Sequence, residues 1–236
     1  MKKAALGIYA TIGIIGLLAF FGGIVGAYTR LLGPGPGFGL YAIGMLLSVI
    51  AVIAGFIDFS KNGSSWRSGI LALAFLPLAS LVYGFVKSRG VPVLNDVTTN
   101  MDIPPAFVHA KTLPENEGRD MSFPLEFKPM IKEHYGDLEP QISTDTIDET
   151  HIKVMNVIEG LSNWEIGSTE IESSKITIEG TITSEVFGFV DDYIVVLTKP
   201  GSGGCIIDMR SKSRMGRSDL GQNAEHIRLF FSLLEL

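Results

Sequence analysis

Four cationic side chains, Arg210, Lys212, Arg214 and Arg217, fall within eight residues near the C-terminal end of the chain. Arg210, Lys212 and Arg214 recur at every second position, which in an extended strand places them on one face. The residues that follow, Gly216 to Asp219, lead into a helix, and the first amides of a helix lack intrahelical partners and favour anions. Bidentate guanidinium groups beside such a start would grip a phosphate or carboxylate. Arg210, Lys212, Arg214, Arg217, Ser218 and Asp219 therefore form a candidate ligand-binding set. The competing arrangement is an internal charge network, in which Asp191, Asp192, Asp208 and Asp219 neutralise the bases and Ser218 or Asp219 is an ordinary helix cap.

Asp191 and Asp192 are the acidic partners to consider, either as counter-ions or as a general base. Neighbouring strand residues point to opposite faces, so these two carboxylates cannot share one proton or one metal ion. His109, His134, His151 and His226 are scattered without ligand spacing, with His151 and His226 read as helix-surface residues, and neither a metal nor a cofactor is implied. Cys205, Ser211 and Ser213 are conceivable nucleophiles, yet neither serine lies in a GxSxG elbow and Cys205 after a glycine turn reads as a small strand residue. There is no GxxxxGK[ST] loop, and Gly37-Phe38-Gly39-Leu40-Tyr41-Ala42 only mimics a dinucleotide fingerprint, since no strand precedes it. No catalytic residue is assigned.

Two unlike halves must position these groups. Residues 1–89 carry seven Lys or Arg against one acid, Asp58, and residues 90–236 carry twelve bases against twenty-four acids. A domain with a net charge of minus twelve has no broad basic face for nucleic acid, so no nucleic-acid partner is expected. With Cys205 as the single cysteine, no intramolecular disulfide can form.

Ala4 to Thr29 is free of charge and exceeds the roughly 20 residues that cross a bilayer core. A cleaved signal peptide is the competing reading, but the run is too long and further apolar spans follow. Leu32-Gly33-Pro34-Gly35-Pro36-Gly37 should break the helix, with Phe38 to Ile57 as a second span and Ser68 to Val86, kinked at Pro77, as a third. Tyr9, Tyr28, Trp66 and Tyr83 sit near span ends, as interfacial aromatics do. Gly22 and Gly26 form a GxxxG pattern that favours close packing against another span of the same chain over dimerisation. Flanking Lys and Arg divide four to three in favour of a cytoplasmic N-terminus, which places the soluble part outside the cytoplasm. No charge lies deep in a span, so the helices read as an anchor.

Residues 90–144 hold seven of the eleven prolines, which predicts extended, looped chain that wraps the domain. Asp145 can cap a helix running to about Leu161, and Trp164 to Ile171 suits a strand. In Lys175 to Thr183, Ile176, Ile178 and Ile182 share one face of a half-buried strand. Phe187 to Val190 with Tyr193 to Thr198 form the next strand, Pro200 to Gly204 a turn, Cys205 to Arg214 an antiparallel return, and a last helix runs to Leu236 with Leu220, Ala224, Ile227 and Leu234 as its apolar stripe. The predicted architecture is α+β: three transmembrane helices over 1–89, then a soluble antiparallel-sheet domain over 90–236 with helices on one face.

The run Phe189-Val190-Asp191-Asp192-Tyr193-Ile194-Val195-Val196, the run Ile207 to Gly221, Asn223 and Ile227-Arg228 resemble the bacterial family catalogued as domain of unknown function 1499. Leu94-Asn95-Asp96-Val97-Thr98-Thr99 is similar to that family's N-terminal signature, so the likeness spans about residues 90 to 236. Members often carry lipoprotein signals or membrane helices, so the resemblance implies an envelope location and no mechanism. The expectation is a multi-pass protein of the inner membrane whose extracytoplasmic domain binds an anionic ligand, a lipid headgroup or a membrane-protein partner. Alternatives are a hydrolase or transferase using Asp191 or Asp192 with an arginine clamp, and a structural subunit of a membrane complex.

Overall fold

The computed structural model describes residues 2–62, 67–201 and 203–234. Trp66, Ser202 and the expected helix end at Leu236 lie outside them. The chain divides into two compact units, one of Met1–Arg89 with Glu185–Gly188 and one of Gly90–Ser184 with Phe189–Leu236.

The first unit contains helices α1 (Lys2–Tyr28), α2 (Pro34–Asn62) and α3 (Arg67–Ser88). Two stretches are long and apolar enough to cross a membrane, Tyr9–Tyr28 and Pro34–Ile57, while the apolar part of α3 found among the described residues is Phe75–Ser88. Helix α2 starts four residues before the expected Phe38, at Pro34. Proline is tolerated there because the first amides of a helix have no intrahelical acceptor to lose. Pro77 lies inside α3, which continues through it.

Helices α1 and α2 meet along small residues. A Cβ on Gly23 would run into the backbone of Gly37 and Tyr41, and one on Gly44 into the backbone of Phe20 and Gly16. The seam thus uses Gly16 and Gly23 of α1 against Gly37 and Gly44 of α2. Gly22 of the expected GxxxG pair meets only the tip of Leu40, and Gly26 meets Leu32. Across from this seam, Ile14, Ile15, Leu18, Phe21 and Val25 are exposed, an apolar surface that suits lipid. Tyr41 Oη of α2 hydrogen-bonds Ser80 Oγ of α3.

The second unit is a six-stranded antiparallel sheet in the order β1-β6-β5-β4-β3, with β2 also paired to β6. The strands are β1 (Asp96–Thr98), β2 (Gln141–Ser143), β3 (Trp164–Ile171), β4 (Lys175–Thr183), β5 (Val190–Thr198) and β6 (Cys205–Ser213). Helices α4 (Lys128–His134), α5 (Ile147–Gly160) and α6 (Gln222–Leu233) complete it. Thr146, rather than Asp145, caps α5: it makes a reciprocal capping box with Glu149. Asp145 instead pairs with Lys153 at 2.7 Å.

One sheet face packs Trp164, Ile178, Ile182, Tyr193, Val195, Ile207 and Met209 against Ile131, Val154, Ile158, Ile227 and Phe230 of the three helices. The other face was expected to meet water and does not. Thr177 and Glu179 on β4, Asp192 on β5 and Asp208, Arg210 and Lys212 on β6 are all buried. Residues 99–127 cover them, with Phe107, Ala110 and Met121 packed on Ile194 and Val196. Strict alternation on β4 therefore separates an apolar buried face from a polar buried face.

Because the α1–α2 seam has no room for side chains, Gly44→Leu should destabilise the full chain in detergent by about 1–3 kcal/mol, the usual cost of overpacking. Gly39→Leu, where the added carbon meets nothing within 4 Å, should leave the thermal midpoint unchanged. Equal effects of the two substitutions would reject the seam.

Candidate functional site

On the covered polar face, Arg210 is 1% exposed and Asp96 is fully buried. Strand pairing sets Asp96 opposite Lys212 and Thr98 opposite Arg210, which brings the guanidinium alongside the carboxylate. Arg210 Nε and Nη2 donate to the two Asp96 oxygens at 2.9 and 2.8 Å. Its Nη1 donates to Pro105 O at 2.8 Å and Nη2 also donates to Met121 O at 3.0 Å. The rings of Phe107 and Phe123 lie 4.8 and 5.5 Å from the guanidinium carbon. Lys212 Nζ donates to Asp96 Oδ2 at 2.8 Å. Arg210 thus fastens the proline-rich segment to the sheet from below, and its donors are not available to an outside anion.

Asp192 holds the second centre. Arg214 Nε and Nη2 donate to its Oδ1 at 3.0 and 2.7 Å. Asn116 Nδ2 donates to Oδ2 at 3.1 Å, and Arg119 Nη1 approaches the same oxygen at 3.4 Å while its Nη2 donates to Ser213 O at 2.7 Å. Arg119 is a participant that the sequence reading missed, because it stands 95 positions before Arg214 in a segment without periodicity. A third anchor is Glu179, whose carboxylate accepts from the amides of Val108, His109 and Ala110 at 2.8, 3.0 and 2.9 Å. Those are the free amides that open a short 3-10 turn at Ala110–Thr112, a natural seat for a carboxylate.

Of the expected ligand set, the structure therefore joins Arg210 and Lys212 to Asp96 and Arg214 to Asp192. Arg217 is exposed and makes no hydrogen bond or ion pair among the described residues. Ser218 Oγ accepts from the Leu220 amide at 3.3 Å. The N-cap of α6 is Gly221 rather than the expected Ser218 or Asp219, and Asp219, two residues before it, accepts from the amides of Gly221 and Asn223 at 2.9 and 2.8 Å. Its carboxyl is nonetheless raised above the usual carboxylate range, first by burial.

Asp191 lies on the opposite, helix-facing side from Asp192. It is 7% exposed, and its Oδ2 is 3.6 Å from Nδ1 of His226, itself 8% exposed. His226 was expected on the helix surface. It is buried because α6 begins at Gln222, three residues after Asp219, so the inward stripe reads Asn223, Ala224, His226, Ile227 and Phe230, while Leu220 falls outside the helix. The polar members meet polar strand residues: Ser211 Oγ donates to Asn223 Oδ1 at 2.6 Å and Asn223 Nδ2 donates to Ser213 Oγ at 3.0 Å. Burial pushes the Asp191 carboxyl up to about 6, with Asp219 and Asp192 adding to the rise, and pushes the His226 imidazole down to about 4. The Cys205 thiol, fully buried, is also raised by burial, which disfavours the reactive thiolate.

The family model described as protein of unknown function (DUF1499) matches residues 96–234. The chain belongs to that family. No curated protein and no solved structure matches it. The matched span runs from Asp96 to Leu234, so the two carboxylates that form ion pairs on the polar face, Asp96 and Asp192, and all of their basic partners lie within the DUF1499 region.

Removing one charge from the Asp96 centre leaves buried cations unpaired. Asp96→Ala should cost about 3–5 kcal/mol in unfolding of the full chain followed by near-ultraviolet circular dichroism, and a loss under 1 kcal/mol would contradict the network. The helix-side pair gives a pH signature. Asp191, raised from 3.8 to about 6, contributes stability that is complete below 3.8 and lost as pH rises through 6. His226, lowered from 6.5 to about 4, contributes stability that is complete above 6.5 and lost as pH falls through 4. Asp191→Asn should therefore stabilise the protein by ~2–3 kcal/mol at pH 7.5, with the gain fading toward pH 4. His226→Gln should show the reverse, a gain that grows as the pH falls from 6.5 to 4. Difference curves that are flat with pH would sink both assignments.

Proposed function

We propose that this protein is a membrane-anchored, non-enzymatic binding module of the bacterial envelope, with α3 as a third span and an extracytoplasmic domain that captures an anionic group. The observation that carries the reading is a cluster of cations on a face that also holds four carboxylates, Asp96, Glu179, Asp192 and Asp208. Four cations, Arg119, Arg210, Lys212 and Arg214, share two carboxylates, Asp96 and Asp192, in a domain with a net charge of minus twelve. Arg217 follows them with no partner of its own among the described residues. Arg214 binds Asp192 through Nε and Nη2, so its Nη1 faces no recorded acceptor, and three residues on stands Arg217. The anion-binding set thereby contracts from the six residues expected to Arg214 and Arg217, with Arg119 beside them. Ser218 and Asp219 serve the helix start, and Arg210 and Lys212 supply positive potential from beneath. A phosphate or carboxylate is the chemistry this pair suits, because guanidinium groups present parallel donors to either.

A second reading keeps Asp191 as a general base. It is favoured by the raised carboxyl of Asp191 beside the His226 imidazole, whose Nε2 is 3.2 Å from the exposed Gln222. The arginines do not join it, since they lie on the other side of the sheet with Asp192. A hydrolase or transferase built on Asp191 would need to hold its substrate without that clamp.

Titrating the full chain in zwitterionic micelles with inorganic phosphate and with short-chain phosphatidylglycerol tests the first reading. Arg217→Ala should weaken binding roughly threefold to tenfold at low salt and leave the thermal midpoint within experimental scatter, since the side chain is exposed and unpaired. Unchanged binding of both probes would reject this site.

A further inference from the structure

On the polar side of the sheet, a cavity of about 70 Å³ is lined by His109, Ala110, Leu113, Glu165, Gly167 and Thr181, with Ile166 and Gly180 completing its wall and Thr181 paired across the strands with Asp192. We propose that this cavity is a binding site for a small primary ammonium group on a short carbon stem.

The cavity is built by features that have no other evident use. Strands β3 and β4 slip register between Ile166 and Ser168, leaving Gly167 as the extra residue of a bulge. A Cβ at Gly167 would sit 3.0 Å from His109 Nε2, so the absence of a side chain there lets the imidazole lie over the bulge. The ring is held in place from its backbone: Glu179, 1% exposed, accepts from the amides of Val108, His109 and Ala110. The imidazole itself makes no hydrogen bond or ion pair among the described residues. The sequence reading dismissed His109 because it lacks neighbours in the chain with ligand spacing. Its companions come instead from β3 and β4, 56 and 72 positions later.

The chemistry of the lining selects the ligand. The His109 imidazole, the Glu165 carboxylate and the Thr181 hydroxyl are acceptor-bearing groups, and an ammonium offers three donors and no acceptor. Leu113 and Ala110 give an apolar wall for a stem of one or two methylenes. The small volume suits a compact ammonium better than a planar guanidinium. The domain's excess of twelve negative charges draws cations toward it. The cavity adjoins the Asp192 centre through Thr181, but the proposal does not rest on the anion-binding reading above.

The experiment uses the full chain in detergent with carbon-13-labelled histidine, so that the four imidazoles report separately by nuclear magnetic resonance. Ethanolamine is added at constant ionic strength, with tetramethylammonium as a cation that cannot donate hydrogen bonds, and phosphatidylethanolamine dispersed in the micelles forms a second arm. The expected result is a saturable shift of His109 while His134, His151 and His226 stay fixed, no response to tetramethylammonium, and at least fivefold weaker binding in Glu165→Gln. Unmoved His134, His151 and His226 resonances in that variant verify that it folds. Saturation by free ethanolamine identifies a soluble amine as the ligand class, and saturation by the lipid alone identifies a headgroup. No saturable shift in either arm, or an equal response to tetramethylammonium, overturns the proposal.

Discussion

The Asp96–Arg210 pair is the interaction on which the antiparallel-sheet unit depends. Both groups are withdrawn from water, and each is multiply hydrogen-bonded, Arg210 to Asp96, Pro105 and Met121 and Asp96 to Arg210 and Lys212. A buried ion pair of this kind is weak evidence of net stabilisation, since an apolar replacement can do as well, whereas removing one partner leaves an uncompensated buried charge. Pro105 and Met121 lie 105 and 89 residues from Arg210 in the chain. One guanidinium therefore fixes where two separate points of a proline-rich segment must sit, in a region where neither helix nor ladder hydrogen bonds could set the register.

Seen this way, the sheet is a partition between two unlike interiors. The helix side is an apolar core with one polar inclusion, in which Asp191, Ser211, Ser213, Asn223 and His226 meet at the start of α6. The other side is a layer of fixed charge, with Asp96, Asp192 and Glu179 each binding something in the covering segment or in β6. Neighbouring Asp191 and Asp192 belong to different interiors, one raised by burial near an imidazole and the other held between two arginines. The basic residues serve first as fasteners. Asp96 and Asp192 each hold two of them, and Arg217 stands outside both centres, exposed and without an ion pair among the described residues.

Much of the secondary structure was legible. Period-two alternation located β4 at the residues where it occurs, the expected span of β3 matches the observed strand and that of β6 agrees to within one residue, and unbroken apolar runs located α1 and α2. The polar face of β4 was misread as exposed because alternation says only that two faces differ. Its cover carries no periodicity, and contacts between Asp96 and Arg210, 114 residues apart, leave no local signal. The GxxxG pair pointed to close helix packing but to the wrong glycines, since the seam glycines Gly16 and Gly23 recur at seven residues, outside the four-residue spacing of that motif. His109, Arg119 and His226 were missed for one shared reason: each gains its role from a neighbour in space that is distant in the chain.

Residue-resolved amide hydrogen exchange of the full protein tests the covered charge layer most directly. If Glu179 holds the covering segment as described, the amides of Val108, His109 and Ala110 should exchange as slowly as those in the middle of β5, because all three would open only with the domain itself. Exchange of those three amides at the rates of a free loop, with β5 still protected, would contradict the account.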